Sequence, residues 1–391
     1  MKALEILFWV GLFTVFYAYL GYGILLFVGI KIKRLFSTKE TVFDANFTPK
    51  VALIVPCFNE EKYIAEKIED SLKLDYPKDQ LEIIFISDGS NDQTAAIVRD
   101  HTSKGIIAMH EDKRAGKAAA MNRAVKATQA EILVFCDANT ALNSKAIREI
   151  VKHYQNAKIG AVAGQKRIVE KDADSASGAG EGIYWKYESA LKKWDGELYT
   201  VVGAAGELMS YRRALYEELP ADTLLDDFMQ SMRVCEKGYR VVYEPNANAT
   251  ETASANVQEE LKRKIRISAG GWQSMFRLKK AGNPFYNFIL WFQYVSHRIM
   301  RWSIAPLSLI LIFIVNAILA GQSTFYFVVF ILQLAFYSLA IIGWILENKS
   351  IRLKVLYIPY YFFIMNYSVY MGFFRFLKGS QSSLWERAKR A

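Results

Sequence analysis

Paired cysteines are missing from this chain. Its three cysteines, Cys57, Cys136 and Cys235, stand far apart in apolar or helical contexts. They match no zinc spacing and no even disulfide framework, so reduced thiols in a reducing compartment are expected. No G-x-G-x-x-G follows the first strand-like run, which excludes the ordinary dinucleotide fingerprint. No internal repeat or low-complexity tract is present. Charge is absent from residues 6–30, "ILFWVGLFTVFYAYLGYGILLFVGI". That run is long enough to cross a bilayer. A cleavable signal peptide has a shorter apolar core and a small-residue cleavage site, so a retained anchor over 1–32 is expected.

What is present divides the 391 residues into parts. The 49 Lys+Arg outnumber the 39 Asp+Glu, for a formal charge of +10, and aromatics make up 14% of the chain. "KIKRLFSTK" follows the first apolar run, which by the positive-inside rule puts the next domain in the cytoplasm. Apolar character returns late. "FYNFILWFQYVSHRIMRW" mixes aromatics with His297, Arg298 and Arg301 and reads as an interfacial helix over 283–302. Segments 303–320 and 325–346 read as membrane helices. Lys349, Arg352 and Lys354 after them suit the cytoplasmic side. The Tyr-rich stretch 355–376 either crosses or lies in the interface, completing a membrane region over 303–377. A basic tail, 378–391, is expected in the cytoplasm.

Between the membrane parts, strand-like and helix-like runs alternate: "KVALIVPCFNE", an amphipathic helix, "QLEIIFISDGS", a helix, "GIIAMH", a helix, "EILVFCD", a helix and "IGAVAGQKRIV". This alternation predicts βαβ units and a mostly parallel sheet over 45–282. Two runs end on acids, Asp88 and Asp137. In open α/β sheets ligands bind beyond the carboxyl ends of the strands. Asp137 with Asn139 suits either a helix cap or oxygen ligation of a hard cation such as Mg²⁺ or Mn²⁺. Two carboxylates converging on one crevice repel unless a cation or donors share them. Gly116-Lys117 opens a helix, and helix N-termini with a nearby Lys attract phosphate. Gly203 and Gly206 permit close backbone approach. Asp226 and Asp227 stand at a helix start. Arg263 and Arg266, one turn apart on a basic helix, either touch anionic headgroups or clamp a diphosphate.

These motifs, in this order, resemble the family 2 glycosyltransferases over residues 50 to about 275. "VPCFNE" resembles the family's opening strand and loop, and "SDGSNDQT" its D-G-S-x-D segment. "RAGKAAAMN" resembles its G-K-x-x-A-x-N segment, and "DAN" stands at its D-x-D. "GAAGELMSYRR" resembles its Gly-rich acceptor segment, and "LDDF" stands at its acidic pair. The flanking membrane segments resemble those of its poly-N-acetylglucosamine and hyaluronan synthases. Two departures stand out. Asn139 replaces the second Asp of D-x-D, and "RKIRI" (263–267) replaces Q-x-x-R-W.

The resemblance implies a Rossmann-like glycosyltransferase-A fold and inverting, metal-dependent sugar transfer. The donor is a nucleoside-diphosphate sugar, expected to be UDP-linked, and the acceptor a polysaccharide or glycolipid. Single-sugar transfer to a polyprenyl phosphate and a non-catalytic nucleotide-binding scaffold are the alternatives. The implied base is Asp227, supported by Asp226, because one carboxylate must take the proton of the attacking hydroxyl. Donor contacts are implied at Pro56, Asn59, Glu60, Asp88, Lys117, Asp137, Arg263 and Arg266. Acceptor contacts are implied at Gly203, Gly206, Glu207 and Trp272. Mg²⁺ or Mn²⁺ is implied on Asp137 and Asn139. The expected setting is a bacterial inner membrane with the catalytic domain inside and no nucleic-acid partner. Four spans are few for a self-contained secretion channel, so a homodimer or a secretion partner is expected.

Overall fold

The computed structural model describes residues 1–36, 43–169, 176–204, 206–252, 257–348 and 353–382. Lys349, Arg352 and the tail from 383 lie outside the described residues.

The central element is an eight-stranded mixed sheet. Its strands are β1 (Val51–Cys57), β2 (Leu81–Asp88), β3 (Ile106–Glu111), β4 (Ile132–Cys136), β5 (Ala141–Leu142), β6 (Ile159–Val169), β7 (Leu208–Arg212) and β8 (Arg240–Thr252). Their spatial order is β3-β2-β1-β4-β7-β6-β8-β5. The first four are parallel, β7 runs against both β4 and β6, and β6 and β8 are parallel. β1 is buried along its whole length, as expected of a strand covered on both faces. Its alternate residues feed two cores. Ala52 and Ile54 point with Ile84, Leu133 and Phe135 into one, while Val51, Leu53 and Val55 point with Phe85 and Val134 into the other. The period of two therefore explains why the run is apolar throughout.

Helices cover both faces: α1 (Lys2–Phe36), α2 (Ile64–Leu72), α3 (Thr94–Asp100), α4 (Lys117–Lys126), α5 (Ala146–Val151), α6 (Ala176–Leu198), α7 (Asp226–Glu236), α8 (Val257–Arg277), α9 (Phe288–Leu319), α10 (Thr324–Asn348) and α11 (Lys354–Leu377). Among the described residues, α1, α9 and α10 are long and apolar enough to cross a membrane. Their outward side chains, such as Trp9, Phe13, Ile310, Ile314 and Phe327, are exposed.

Two boundaries differ from expectation. The expected interfacial helix and the following span are one continuous helix, α9. Its charged residues are satisfied within the protein. His297 is fully buried, and Arg298 and Arg301 are ion-paired to Glu188. Segment 355–376 forms the helix α11, which is not among the three spanning candidates. It carries Pro359 and lies against α8, where Trp272 meets Phe373 and Phe276 stacks on Phe376.

Two wide-turned π segments, Tyr17–Gly21 in α1 and Val295–Ile304 in α9, pack together. Such segments are frequent at functional sites. Here they surround a buried polar knot in which Tyr22 donates to Asp195, His297 Nδ1 lies 2.5 Å from Asp195, and Gln293 donates to the same carboxylate.

Candidate active site

β1, β2 and β4 are parallel, so the residues after Cys57, at Asp88 and after Cys136 share one edge of the sheet. β7 is antiparallel with Cys136 opposite Leu208, which brings Gly206 and Glu207 to that same edge. Gly203 has φ +85, and a Cβ there would meet the Phe228 ring at 2.2 Å. Only glycine combines that conformation with that contact. The turn carries the chain toward the start of α7, where Asp226 and Asp227 stand.

A cavity of about 980 Å³ opens at this edge. Lys117, Asp137, Asn139, Glu207, Asp226 and Asp227 line it. Lys117 Nζ donates to Asp137 Oδ1 at 2.6 Å and lies 4.0 Å from Asp226 Oδ2. That Asp226 oxygen is buried without a hydrogen-bond partner. A Cβ on Gly206 would lie 3.1 Å from Asp227 Oδ2 and 3.5 Å from Lys117 Nζ, so the lysine and Asp227 meet around this glycine. Asp227 Oδ1 accepts from the Phe228 amide at 2.7 Å. Burial, and next the charge of Asp226, push the Asp227 carboxyl up to about 6. Burial also raises Asp137, although Lys117 opposes it. For Lys117, burial works against the charge, but Asp137 and Asp226 outweigh it and hold the ammonium protonated.

The floor is a second ionic cluster. Lys166 bridges Glu207, at 2.5 Å, and Glu251. Arg263 pairs with Glu260 at 2.9 Å. Burial disfavours the Glu207 charge, yet Lys166 and Arg263 hold its carboxyl below the ordinary value.

The oxygen-only set of Asp137 and Asn139, with an unsatisfied Asp226 oxygen near by, suits a hard divalent ion. Among the described residues no three His, Cys, Asp or Glu side chains gather tightly enough to enclose one. One or two carboxylates completed by substrate phosphates is the usual Mg²⁺ arrangement.

Ten of the fifteen residues expected from sequence are placed together. Glu60, Lys117, Asp137, Asn139, Gly206, Glu207, Asp226, Asp227, Arg263 and Arg266 all line the cavity. Gly203 shapes the turn behind it. The others stand back. Pro56 is buried within β1. Asn59, at φ 54, is exchanged into hydrogen bonds with Ser90 and Asn91. Asp88 is 2% exposed and accepts from the Ala115 and Gly116 amides and from Arg123. The two amides just before α4 are thus directed at Asp88. Trp272 packs on Phe373.

A second half of the cavity escaped the sequence. Glu188 and Lys192 of α6, Arg298, Arg301 and Trp302 of α9, and Tyr19 of α1 line it, joined by a face of α11 that mixes Ile358, Phe362 and Met365 with Tyr361, Asn366 and Ser368. Arg298 and Arg301 inside an apolar run were the available signal, since ionised groups there rarely lack a partner.

Residues 52–220 match the family described as glycosyl transferase family 2. The chain is similar to the poly-beta-1,6-N-acetyl-D-glucosamine synthase of Staphylococcus epidermidis, 25% identical over 256 residues covering 62% of this chain and 61% of that protein. It is similar to the probable glycosyltransferase YdaM of Bacillus subtilis, 25% identical over 264 residues covering 63% and 62% of the two chains. The match thus spans about three-fifths of these relatives' own lengths. Among solved structures, the mannosyltransferase PcManGT of Pyrobaculum calidifontis, in complex with GDP-Man and Mn²⁺, superposes with a TM-score of 0.71. It is 20% identical, covering 96% of this chain and 100% of the other. That likeness is one of fold, and it includes the membrane-type helices.

Proposed function

We propose, from the match of residues 52–220 to glycosyl transferase family 2, that the chain transfers a sugar, with inversion, from a nucleoside-diphosphate sugar to a growing polysaccharide or glycolipid at a membrane. The observation that carries this reading is the set of carboxylates Asp137, Asp226 and Asp227 around Lys117 in one large cavity. A nucleotide binder needs no carboxylate with a raised pKa, whereas sugar transfer needs a base poised near the working pH.

Asp227 has that character. It takes the proton of the acceptor hydroxyl, and Asp226 supplies the neighbouring charge that keeps its pKa up. Asp137 and Asn139 would hold the divalent ion, which when bound offsets charge gained by the departing diphosphate. Lys117 neutralises Asp137 and Asp226 from inside the cavity, and Arg263 and Arg266 extend the positive wall. Glu207, fixed by Lys166, holds the acceptor side of the floor. Direct displacement inverts the anomeric centre and needs no nucleophilic Ser or Cys.

The domain faces the cytoplasm in this reading, since Lys31, Lys33 and Arg34 close the first span. Arg34 and Lys33 also tie that end to Glu197 and Leu198 of α6. The test is a panel of labelled nucleotide sugars offered to membranes containing the protein. The panel includes guanosine-linked as well as uridine-linked donors, because the solved mannosyltransferase of the same fold was captured with GDP-Man. Incorporation into polymer or lipid from one donor supports the proposal, and no transfer from any donor defeats it.

A further inference from the structure

The helix that bears the proposed base has no side-chain cap. Leu225 stands at the N-cap of α7 and offers no acceptor to the free amides that follow. A helix start without a Ser, Thr, Asp or Asn cap needs another support if its first turn is to stay in place. That first turn carries Asp226 and Asp227. The loop before it, Thr223, Leu224 and Leu225, lines the cavity.

The support comes from α8. Arg266, Gly270, Gln273 and Arg277 fall at i, i+4, i+7 and i+11 and so share one stripe of that helix. Every one of them meets the loop. Gln273 uses both halves of its amide there: Oε1 accepts from the Leu224 amide at 3.0 Å, and Nε2 donates to the Asp222 carbonyl at 2.8 Å. Arg277 donates to the Asp222 carboxylate at 2.6 Å and to the Thr223 hydroxyl at 3.3 Å. Arg266 donates to the Leu224 carbonyl at 3.3 Å. Gly270 lets the loop lie against the helix, since a Cβ there would stand 2.5 Å from Leu225 Cγ and 3.0 Å from Leu224 Cβ.

A neighbouring face of α8 is backed by α11. A Cβ on Gly372 would meet the Ala269 amide nitrogen at 2.8 Å, and Trp272 and Phe276 pack on Phe373 and Phe376. With α11 on one side and the loop on another, close packing leaves α8 little room to shift. The same helix supplies Arg263 and Arg266 to the cavity wall. One element therefore sets the spacing between that positive wall and Asp227. Gln273 and Arg277 themselves do not line the cavity, so any effect they have on transfer passes through the loop.

We infer that Gln273 and Arg277 are positioning residues: they latch loop 222–225 to α8 and through it hold Asp227 in place for proton transfer. This rests on the glycosyl-transfer reading, with Asp227 as its base.

The test measures initial rates of transfer in membranes containing the full chain, using whichever uridine- or guanosine-linked sugar of the panel the parent turns over. Gln273→Leu nearly keeps the size of the side chain and removes both hydrogen bonds. It should lower kcat about 10–100-fold, the effect of moving a reacting group by about 1 Å, with donor KM unchanged. Arg277→Met should act in the same direction, and Arg277→Asp combined with Asp222→Arg should recover part of the rate. Those two decide the matter if Gln273→Leu does not fold. The sharpest comparison is made on Asp227→Asn. There Gln273→Leu should have no further effect, because a residue that acts only through the base has nothing left to place. A merely structural contact would slow both backgrounds alike. Hydrogen exchange of segment 220–228, read by mass spectrometry, should speed up in Gln273→Leu as the Leu224 amide loses its acceptor. Unchanged kcat in both single variants, an equal further loss on Asp227→Asn, or unchanged exchange overturns the latch. A raised donor KM in Gln273→Leu does so too, by assigning the loop to donor binding. A parent that turns over no donor defeats the transfer reading and the latch with it. An active parent beside an indifferent Gln273→Leu defeats the latch alone.

Discussion

At the scale of single residues, a substitution at Asp227 tests whether binding and chemistry separate. Asp227→Asn keeps the size of the side chain and can still accept from the Phe228 amide. In the proposed role, transfer should fall by about 10²–10⁴ while donor affinity, measured by calorimetry, is retained. Asp226→Asn should be milder; the reverse order would move the base to Asp226. The raised pKa gives a pH prediction with a definite sign. A base must be ionised, so kcat/KM should rise through about pH 6 on the acid side and then level. Stability runs the other way. A folded pKa above the usual 3.8 means the folded chain holds this proton more tightly, so that stabilisation is complete below pH 3.8 and lost as pH rises through about 6. Thermal melts should therefore find Asp227→Asn more stable than the parent at pH 7.5, with the gap closing near pH 4.

Asp137 was legible in the sequence because a buried run ending on an acid already implies a strand edge facing a crevice. If it holds the ion, Asp137→Ala should abolish both activity and the Mn²⁺ signal bound in electron paramagnetic resonance, whereas Asn139→Asp should keep both. Full turnover in excess chelator would remove the metal from the mechanism. Lys192 was not legible. A lysine on an amphipathic helix normally reads as a solvated face, and only the packing of α6 against α1 and α9 shows it turned inward. Asp88 was legible as a strand-end acid but not in its orientation, which depends on the Ala115 and Gly116 amides arriving from another segment.

At the scale of elements, the alternating pattern revealed the parallel half of the sheet, because each buried strand and its following helix are local in sequence. It could not reveal that β7 enters antiparallel between β4 and β6, since that pairing is made by residues far apart in the chain. The boundary placed before residue 303 has a similar cause. Charges at His297, Arg298 and Arg301 suggested water, but their partners Glu188 and Asp195 lie on α6, about a hundred positions earlier. The turn at Gly203 gives the sharpest test at this scale. Gly203→Ala demands a left-handed φ from alanine and drives its Cβ into Phe228. The combined penalty should be about 1–3 kcal/mol or more, read as a lower melting temperature with activity lost in parallel. A variant that melts like the parent would show that this turn has freedom to move.

At the scale of the whole molecule, the topology prediction is that a reporter fused after residue 45 is active in the cytoplasm, since Lys31, Lys33 and Arg34 follow the first span. Activity on the far side alone would invert the assignment of the domain. The same reporter placed after Ser323, in the short link between α9 and α10, should then report the opposite side.

The buried knot of Tyr22, Asp195 and His297 has a consequence in time. Tyr22 and Asp195 are 173 positions apart, and at about 5–20 residues per second roughly 10–35 s separate their emergence from the ribosome. His297 follows 102 positions after Asp195. Throughout that interval the Tyr22 hydroxyl is not yet joined to the carboxylate it will serve. The knot closes only once α9 has been made, because His297, the last of its partners to arrive, belongs to that helix.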